Sequence, residues 1–261
     1  MILDEILARK RKEVAERRAS RLTLTPAPEP PRAFSQALRQ ADGLNVIAEF
    51  KRRSPSGGLI RPDATPAAIA RVYAASGAAA LSVLTDAHYF GGSDADLVEA
   101  REASALPVLR KDFVVDPYQI HEARSLGADA VLLIVRALSD ADLRAFLELS
   151  RELELDALVE THSADEVRRA LDAGARTIGV NNRDLDTLVT DVSLAPRLRP
   201  LVPADCVFVA ESGVSATEQM AALAEAGVDA VLIGEALLRA EDPSARLREL
   251  VAAGTRPSVR A

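Results

Sequence analysis

From residue 46 onward, the sequence alternates short apolar runs with stretches of helical pattern. Eight apolar runs are predicted strands: 46–50, 81–85, 108–113, 130–135, 156–160, 177–182, 207–212 and 230–235. Several are apolar throughout, which is typical of a parallel sheet buried on both faces. Predicted helices between them include Thr65–Ser76, Pro117–Leu126, Asp140–Leu153, Ser163–Ala173 and Ser215–Ala226. Eight strand–helix pairs favour an α/β fold, the (β/α)8 or TIM barrel.

A doubly wound open sheet is the alternative architecture. Such sheets more often have five or six strands and carry the glycine fingerprint GxGxxG after the first strand. Here the first predicted strand is followed by KRRSPSGG, which lacks that fingerprint. The length of 261 residues suits one barrel. We therefore predict a single domain over 1–261, with an N-terminal helical extension and connector at 1–44 and the barrel at 45–261.

The N-terminal extension is predicted to begin with an amphipathic helix. Leu3, Leu7 and Val14 recur on one helical face, so we expect this helix to cover one end of the barrel. Acidic residues interrupt its basic charge, which argues against a signal or transit peptide. We interpret the basic run RKRK at 9–12 as a solvated helix face rather than a phosphate-binding patch. Four prolines between 26 and 31 indicate an extended connector.

Charge, cysteine content and histidine spacing exclude several classes of function. The net charge of −7 disfavours nonspecific nucleic-acid binding, so an anionic ligand needs a local basic site. The single cysteine, Cys206, excludes an internal disulfide and a cysteine-based metal cluster. No apolar stretch approaches the roughly 20 residues of a membrane span. His88, His121 and His162 lack metal-ligand spacing, and we interpret His162 as a helix-entry residue beside the Ser163 cap rather than a site residue. These features predict a cytoplasmic protein with no metal, nucleic-acid or membrane partner.

Two segments of the chain echo each other. GADAVLLI at 127–134 is similar to GVDAVLIG at 227–234. In both, a glycine suited to the left-handed end of a helix precedes a predicted strand. We interpret the echo as the shared pattern of helix-to-strand turns rather than the trace of an old duplication.

Polar side chains follow the predicted strands at their carboxyl ends. They are Glu49 and Lys51, Lys111 and Asp112, Glu160, Asn181 with Asn182 and Arg183, Glu211 with Ser212, and Glu235 after Gly234. In a (β/α)8 barrel this face holds the active site. Alternate strand residues share a face, so Leu109 and Lys111 point the same way, as do Leu158 and Glu160. Because unpaired buried charges cost several kcal/mol, a functional cluster is a better interpretation than separate rim salt bridges.

Glycines after the last two strands indicate a phosphate site. Ser212-Gly213 and Gly234-Glu235 follow strands seven and eight, whose loops often hold phosphate on backbone N–H groups in this fold. The alternative is that both glycines only serve tight turns. The side chain of Glu235 has the wrong charge for phosphate, so only its backbone N–H is expected to contribute.

Eight motifs then match one enzyme family in order. They are IAEFKRRSPSGG (47–58), LSVLTDAHYFGGS (81–93), PVLRKDFVVDPYQI (107–120), LLIVRALS (132–139), LVETHS (158–163), IGVNNRDL (178–185), VAESGV (209–214) and VLIGEALL (231–238). The chain resembles the indole-3-glycerol-phosphate synthase family of tryptophan biosynthesis over nearly its whole length. It departs at Gly57, where many members carry lysine, and this departure concerns an outer phosphate or loop contact rather than the core chemistry.

The resemblance implies a monofunctional lyase, a carboxy-lyase, without a cofactor. Its implied substrate is 1-(2-carboxyphenylamino)-1-deoxyribulose 5-phosphate, a small molecule that carries both a phosphate and a carboxylate. Ring closure, loss of carbon dioxide and loss of water would yield indole-3-glycerol phosphate. An acidic protein needs separated local cations to bind such a substrate. We expect a monomer or a weak homo-oligomer.

The resemblance also implies roles for individual residues. Those expected in catalysis are Glu49, Lys51, Lys111, Glu160 and Asn181. Those expected to bind the substrate are Ser54, Phe113, Leu132, Arg183, Glu211 and Leu232, the apolar ones as walls for the phenyl ring. Those expected to bind phosphate are Lys51, Ser212, Gly213, Gly234 and Glu235. Lys111 is the predicted general acid for the ketone, and the order of the other proton transfers stays open.

Two other functions stay open on sequence grounds. A Schiff-base aldolase would use Lys111 on a sugar phosphate and form a covalent adduct that borohydride traps. A non-enzymatic barrel would bind a phosphate ligand as a sensor or scaffold. That second function would leave Lys111 and Glu160 without roles.

Overall fold

The computed structural model describes residues 2–20, 24–25, 27, 29–39 and 43–255; two connector prolines, Pro26 and Pro28, lie outside them. Eight parallel strands form a closed barrel: β1 Asn45–Phe50, β2 Ala80–Leu84, β3 Val108–Lys111, β4 Ala130–Ile134, β5 Asp156–Thr161, β6 Thr177–Asn181, β7 Val207–Glu211 and β8 Ala230–Ile233. β1 pairs with both β2 and β8, which closes the ring. The predicted (β/α)8 barrel is confirmed, and the open sheet is excluded.

Helices follow every strand. They are Pro66–Ala75 after β1, Ala87–Phe90 and Asp94–Ala103 after β2, Tyr118–Ser125 after β3, Asp140–Glu152 after β4, Ala164–Asp172 after β5, Leu194–Leu198 after β6, Thr217–Glu225 after β7, and Glu235–Leu238 and Pro243–Ala253 after β8. Ser93, Ser139 and Ser163 cap three of them, each accepting a hydrogen bond from the backbone N–H three residues later. Within the described ranges, no helix is both long and apolar enough to cross a membrane.

Alternation along the strands divides the buried side chains between two cores. Val46 and its equivalents pack outward against the helices, whereas Ile47 and Leu158 belong to the cluster inside the barrel. Glu49 and Glu160 lie two residues beyond these inward positions. Because the strand period is two, their carboxylates also point inward, at the carboxyl end of the barrel.

The N-terminal helix, Ile2–Ala19, lies across the carboxyl ends of the strands. Leu3 and Ile6 are buried there, so the prediction that this helix covers one end of the barrel is confirmed. The interpretation of 9–12 as a solvated face is wrong for Lys10, which is 2% exposed. Two buried aspartates compensate the charge of Lys10 and hold it inside the protein.

The segment after the connector closes the opposite end of the barrel. Phe34 and Leu38 are fully buried and complete the interior cluster from below. A carboxylate at this end bonds the backbone: Asp129 accepts hydrogen bonds from the N–H groups of Arg32 and Val108, each at 2.7 Å. The amino-terminal end of the barrel is therefore sealed, and the open space lies at the other end.

Candidate active site

A cavity of about 400 Å³ opens at the carboxyl ends of the strands, beneath the N-terminal helix. Every site residue predicted from the sequence lines it: Glu49, Lys51, Ser54, Lys111, Phe113, Leu132, Glu160, Asn181, Arg183, Glu211, Ser212, Gly213, Leu232, Gly234 and Glu235. This volume suits a small-molecule ligand. The prediction that the polar strand ends converge is confirmed, while the role of each residue stays a prediction.

Lys111 lies between two carboxylates. Its Nζ is 2.9 Å from Oε2 of Glu160 and 2.6 Å from Oε2 of Glu211. Burial lowers the pKa of Lys111, but the charges of these two glutamates outweigh burial and raise the pKa above its ordinary value. The ammonium therefore stays charged and has a proton to donate.

The two carboxylates on Lys111 titrate differently. Burial raises the pKa of Glu160, but the charges of Lys111 and His162 outweigh it and lower that pKa to about 2. Burial likewise raises the pKa of Glu211, and the charge of Glu160 adds to burial, so that the pKa is about 7 despite Lys111. Carboxyl groups with separated pKa values are typical of a site that uses one as a base and another as an acid.

His162 supports Glu160 from behind. Its Nε2 is 3.6 Å from Oε1 of Glu160, and its Nδ1 is 3.3 Å from Oε2 of Glu166. Burial lowers the pKa of His162, but the hydrogen bond with Glu166 and the charge of Glu160 raise it overall. His162 does precede the Ser163 cap as predicted, yet it also touches the site. In the sequence, this contact was indicated only by the position of His162 two residues after Glu160, just beyond the end of β5.

Glycines make room for the carboxylates in the barrel mouth. Glu49 pairs with Lys51, whose Nζ lies 2.5 Å from Oε1. A Cβ at Gly234 would lie 2.6 Å from that same Oε1, and a Cβ at Gly179 would lie 2.2 Å from Oε1 of Glu211. A side chain at either position would therefore displace the carboxylate from its place in the barrel mouth.

Asn181 and Arg183 connect the end of β6 to the rest of the site. The side chain of Asn181 helps to lower the pKa of Glu160. Its Oδ1 accepts the N–H of Arg183 at 3.1 Å. The guanidinium of Arg183 then reaches Oγ of Ser56 in the loop after β1, at 2.6 Å. These contacts tie two loops together over the cavity.

The turn after β7 has an unusual backbone. Ser212 and Gly213 both have positive φ angles, 63° and 82°. Such angles are uncommon outside glycine. A Cβ at Gly213 would lie 2.5 Å from Cγ2 of Thr190 and 2.8 Å from Cγ1 of Val192. Only glycine fits at residue 213, so the backbone of this turn lines the cavity directly.

Arg239 is a cavity residue that sequence reasoning missed. Its Nε is 2.8 Å from Oε1 of Glu235, and its Nη2 is 2.6 Å from the carbonyl oxygen of Gly57. A Cβ at Gly57 would lie 2.8 Å from Oε2 of Glu235. Glycine at position 57, where many family members carry lysine, therefore leaves room for the carboxylate of Glu235, which Arg239 neutralises. The available indication was helical spacing, since Arg239 lies four residues after Glu235.

Comparison with known proteins identifies the family. The family model of indole-3-glycerol phosphate synthase matches residues 3–250. The chain belongs to the indole-3-glycerol phosphate synthase family. The synthase of Acidithiobacillus ferrooxidans is 50% identical over 258 residues, covering 95% of this chain and 98% of that protein. The synthase of Kineococcus radiotolerans is 49% identical and covers 100% of this chain and 98% of its own. The resemblance seen in the motifs is confirmed.

Solved structures of other enzymes share the barrel. Thiamine phosphate pyrophosphorylase from Pyrococcus furiosus has a TM-score of 0.62 and 18% identity, covering 80% of this chain and 95% of that chain. A mandelate oxidase with benzoyl-formic acid has a TM-score of 0.62 and 16% identity, covering 86% and 77%. At these identities the likeness shows the fold alone. Within the described residues, no group of three histidine, cysteine or carboxylate side chains is placed to hold a metal ion.

Proposed function

We propose that this member of the indole-3-glycerol phosphate synthase family converts 1-(2-carboxyphenylamino)-1-deoxyribulose 5-phosphate to indole-3-glycerol phosphate, carbon dioxide and water. The observation that carries the proposal is the Lys111 ammonium held by Glu160 and Glu211 in one cavity. The cavity combines this acid–base cluster with an apolar wall and with the backbone of the turn at Ser212 and Gly213. Those three parts correspond to the reacting centre, the phenyl ring and the phosphate of the substrate.

The two ends of the substrate have separate places in the cavity. We place the phosphate on the backbone of Ser212, Gly213, Gly234 and Glu235, with the ammonium of Lys51 nearby. The phenyl ring lies against Phe113, Leu132 and Leu232, which are all buried and line the cavity. Arg183 and Asn181 bind the remaining polar groups of the substrate. This arrangement leaves the ketone near Lys111.

Ring closure is the first step. The aromatic carbon that bears the carboxylate attacks the ketone carbon, and Lys111 donates a proton to the ketone oxygen. The bond to the carboxylate then breaks, its electron pair restores the aromatic ring, and carbon dioxide leaves. Glu160 and Glu211 stabilise the ammonium before the transfer, so the acid is in place when the bond forms.

Dehydration is the second step. The new hydroxyl leaves as water after it accepts a proton, and the adjacent methylene loses a proton as the indole double bond forms. Glu160 is ionised and suits the base. Lys51 and Glu211 both lie on the cavity wall as possible acids, and the pKa of Glu211, at about 7, favours Glu211. Two protons are supplied and one is recovered, so each turnover consumes one proton.

The state of Lys111 argues against the aldolase alternative. A Schiff base requires an unprotonated amine as the nucleophile. Two carboxylates within 2.9 Å instead raise the pKa of this lysine. We therefore expect no adduct on borohydride treatment, whereas an aldolase would be trapped and inactivated.

The remaining properties follow from composition and family. We propose a cytoplasmic enzyme with one barrel domain over 45–261 and its extension at 1–44, acting as a monomer or weak homo-oligomer. The net charge of −7 and the single buried cysteine agree with that compartment. Sedimentation of the purified protein measures the oligomeric state.

The function is tested by incubating the purified protein with the carboxyphenylamino ribulose phosphate. We expect indole fluorescence to appear together with an equal amount of carbon dioxide. Binding of the substrate without fluorescence or carbon dioxide would contradict the proposed function and favour the non-enzymatic alternative.

A further inference from the structure

Lys10 is a buried charge that the proposed mechanism does not use. Its Nζ is 2.9 Å from Oδ2 of Asp86 and 2.9 Å from Oδ1 of Asp112, and 3.4 Å from Oε2 of Glu13. A well-packed apolar residue often stabilises a protein at least as well as a buried ion pair. The ion pairs of Lys10 with Asp86 and Asp112 therefore indicate that the N-terminal helix and the two loops must keep one defined arrangement.

Both aspartates also hold the aromatic wall of the cavity. Oδ1 of Asp86 accepts the N–H of Tyr89 at 2.7 Å and caps the short helix that carries Phe90. Oδ1 of Asp112 accepts the N–H of Phe113 at 2.8 Å. The rings of Phe90 and Phe113 pack with their centroids 6.1 Å apart, and both line the cavity. Lys10 thus joins the two loops that carry this aromatic pair.

The helix that carries Lys10 forms another part of the same wall. Ile2, Leu3 and Ile6 line the cavity, and Lys10 lies one helical turn beyond Ile6. Residues four apart share a helix face, so fixing Nζ of Lys10 fixes the apolar side chains over the cavity. Asp112 also directly follows Lys111 in sequence.

Other contacts hold the same elements when Lys10 is changed. Arg17, two turns further along the helix, pairs with Glu122 at 3.0 Å. Oδ2 of Asp112 accepts a hydrogen bond from Oγ1 of Thr85 at 2.7 Å. Removing the charge of Lys10 should therefore loosen the wall without detaching the helix or unfolding the barrel.

We infer that Lys10 is the positioning residue of an aromatic subsite, which fixes the N-terminal helix, Phe90 and Phe113 as one wall for the ring of a 2-carboxyphenylamino substrate. The inference rests on the proposed function for the identity of the ring. Lys10 makes no contact with the turn at Ser212 and Gly213 among the contacts of the described residues. The aromatic and phosphate ends of the cavity therefore depend on Lys10 to different degrees.

The test compares Lys10→Met with Lys12→Met. Lys12 is exposed on the same helix and serves as the matched control. Binding is measured by calorimetry with 2-aminobenzoate as the aromatic probe and glycerol phosphate as the phosphate probe. We expect Lys10→Met to weaken aromatic binding by about tenfold, with glycerol phosphate unchanged within about twofold. Lys12→Met should bind both probes as the wild type does, and Lys10→Arg should restore most of the aromatic affinity.

Two outcomes would overturn the inference. One is unchanged binding of both probes in a Lys10→Met protein that melts at a lower temperature, because Lys10 would then only stabilise the fold. The other is an equal loss of both probes. Failure of the proposed function has a different signature: wild-type protein would make no indole, while the selective loss of the aromatic probe in Lys10→Met would persist.

Discussion

Carboxylates lie at both ends of this barrel, and their partners differ. At the amino-terminal end, Asp129 and Asp229 accept hydrogen bonds from backbone N–H groups of neighbouring segments, and Asp129 also pairs with the guanidinium of Arg101 at 3.2 Å. At the carboxyl-terminal end, Glu160 and Glu211 bond the ammonium of Lys111 at the wall of a cavity. A carboxylate held by backbone stabilises the fold, whereas one held by a lysine in a cavity can exchange a proton.

The similar segments 127–134 and 227–234 each place an aspartate at the amino-terminal end of the barrel. Asp129 accepts the N–H of Val108 at 2.7 Å, and Asp229 accepts the N–H of Phe208 at 2.8 Å. In each case the aspartate at the start of one strand bonds the first part of the preceding strand. These equivalent bonds agree with the interpretation of the echo as a shared pattern of helix-to-strand turns, and that interpretation stays a prediction.

The largest effect is expected from Lys111→Ala. It removes the proposed general acid, so we expect kcat to fall by roughly 10²–10⁴-fold, with a smaller change in substrate Kd. The measurement is steady-state production of indole fluorescence, with binding of the substrate followed separately. An unchanged kcat would remove Lys111 from the mechanism.

A smaller effect is expected from Gly213→Val. A side chain at this position collides with Thr190 and Val192 and distorts the turn after β7. We expect affinity for glycerol phosphate to fall by about 10–100-fold, which corresponds to roughly 1.4–2.8 kcal/mol. Steps after binding should be little affected. Equal affinity in wild type and variant, measured by calorimetry, would place the phosphate elsewhere.

The pH dependence of kcat tests Glu211. If protonated Glu211 donates a proton during dehydration, kcat falls as pH rises through about 7, because the acid form is then lost. One pH unit above that value, kcat should be about tenfold below its plateau. Glu211→Gln should lower kcat and abolish this dependence. A variant that keeps the same break near pH 7 would assign the break to another group.

The opposite end of the barrel should show a change in stability with no change in catalysis. Asp129→Asn replaces one of the two acceptor oxygens by an NH2 group, so one of the backbone N–H groups of Arg32 and Val108 loses its acceptor, and the charge that pairs with Arg101 is lost as well. We expect a loss of about 1–3 kcal/mol, or a fall in Tm of roughly 2–12 °C. Thermal melting and kcat, measured on the same sample, test whether stability falls while catalysis is unchanged. A large fall in kcat at unchanged Tm would contradict the division between the two ends.

The barrel was predictable because its strands are buried on both faces and therefore read as apolar runs. Parity was equally informative, since Glu160 lies two residues after Leu158 and shares its inward direction. Strand ends were less well predicted. β3 ends at Lys111 rather than Phe113, because Asp112 turns away to bond Lys10 and Thr85.

Contacts between distant segments were not predictable from local patterns. Lys10 looked like one member of an exposed basic run, yet its partners lie at Asp86 and Asp112. No periodicity within a helix specifies which residue of another element will meet it. The bond from Arg239 to the carbonyl of Gly57 was missed for the same reason, although the spacing of Arg239 from Glu235 was visible in the sequence.

The most direct test of the account is a single turnover by Glu160→Gln, with rapid quenching and thermal melting of the same sample. The change keeps the volume of the side chain and one acceptor oxygen for Lys111, but it removes the proposed base. We predict normal substrate binding and little change in Tm, with a ring-closed, decarboxylated but still hydrated intermediate that accumulates while indole formation stalls. Normal indole formation from a variant that only melts earlier would contradict the account, because Glu160 would then belong with the structural carboxylates.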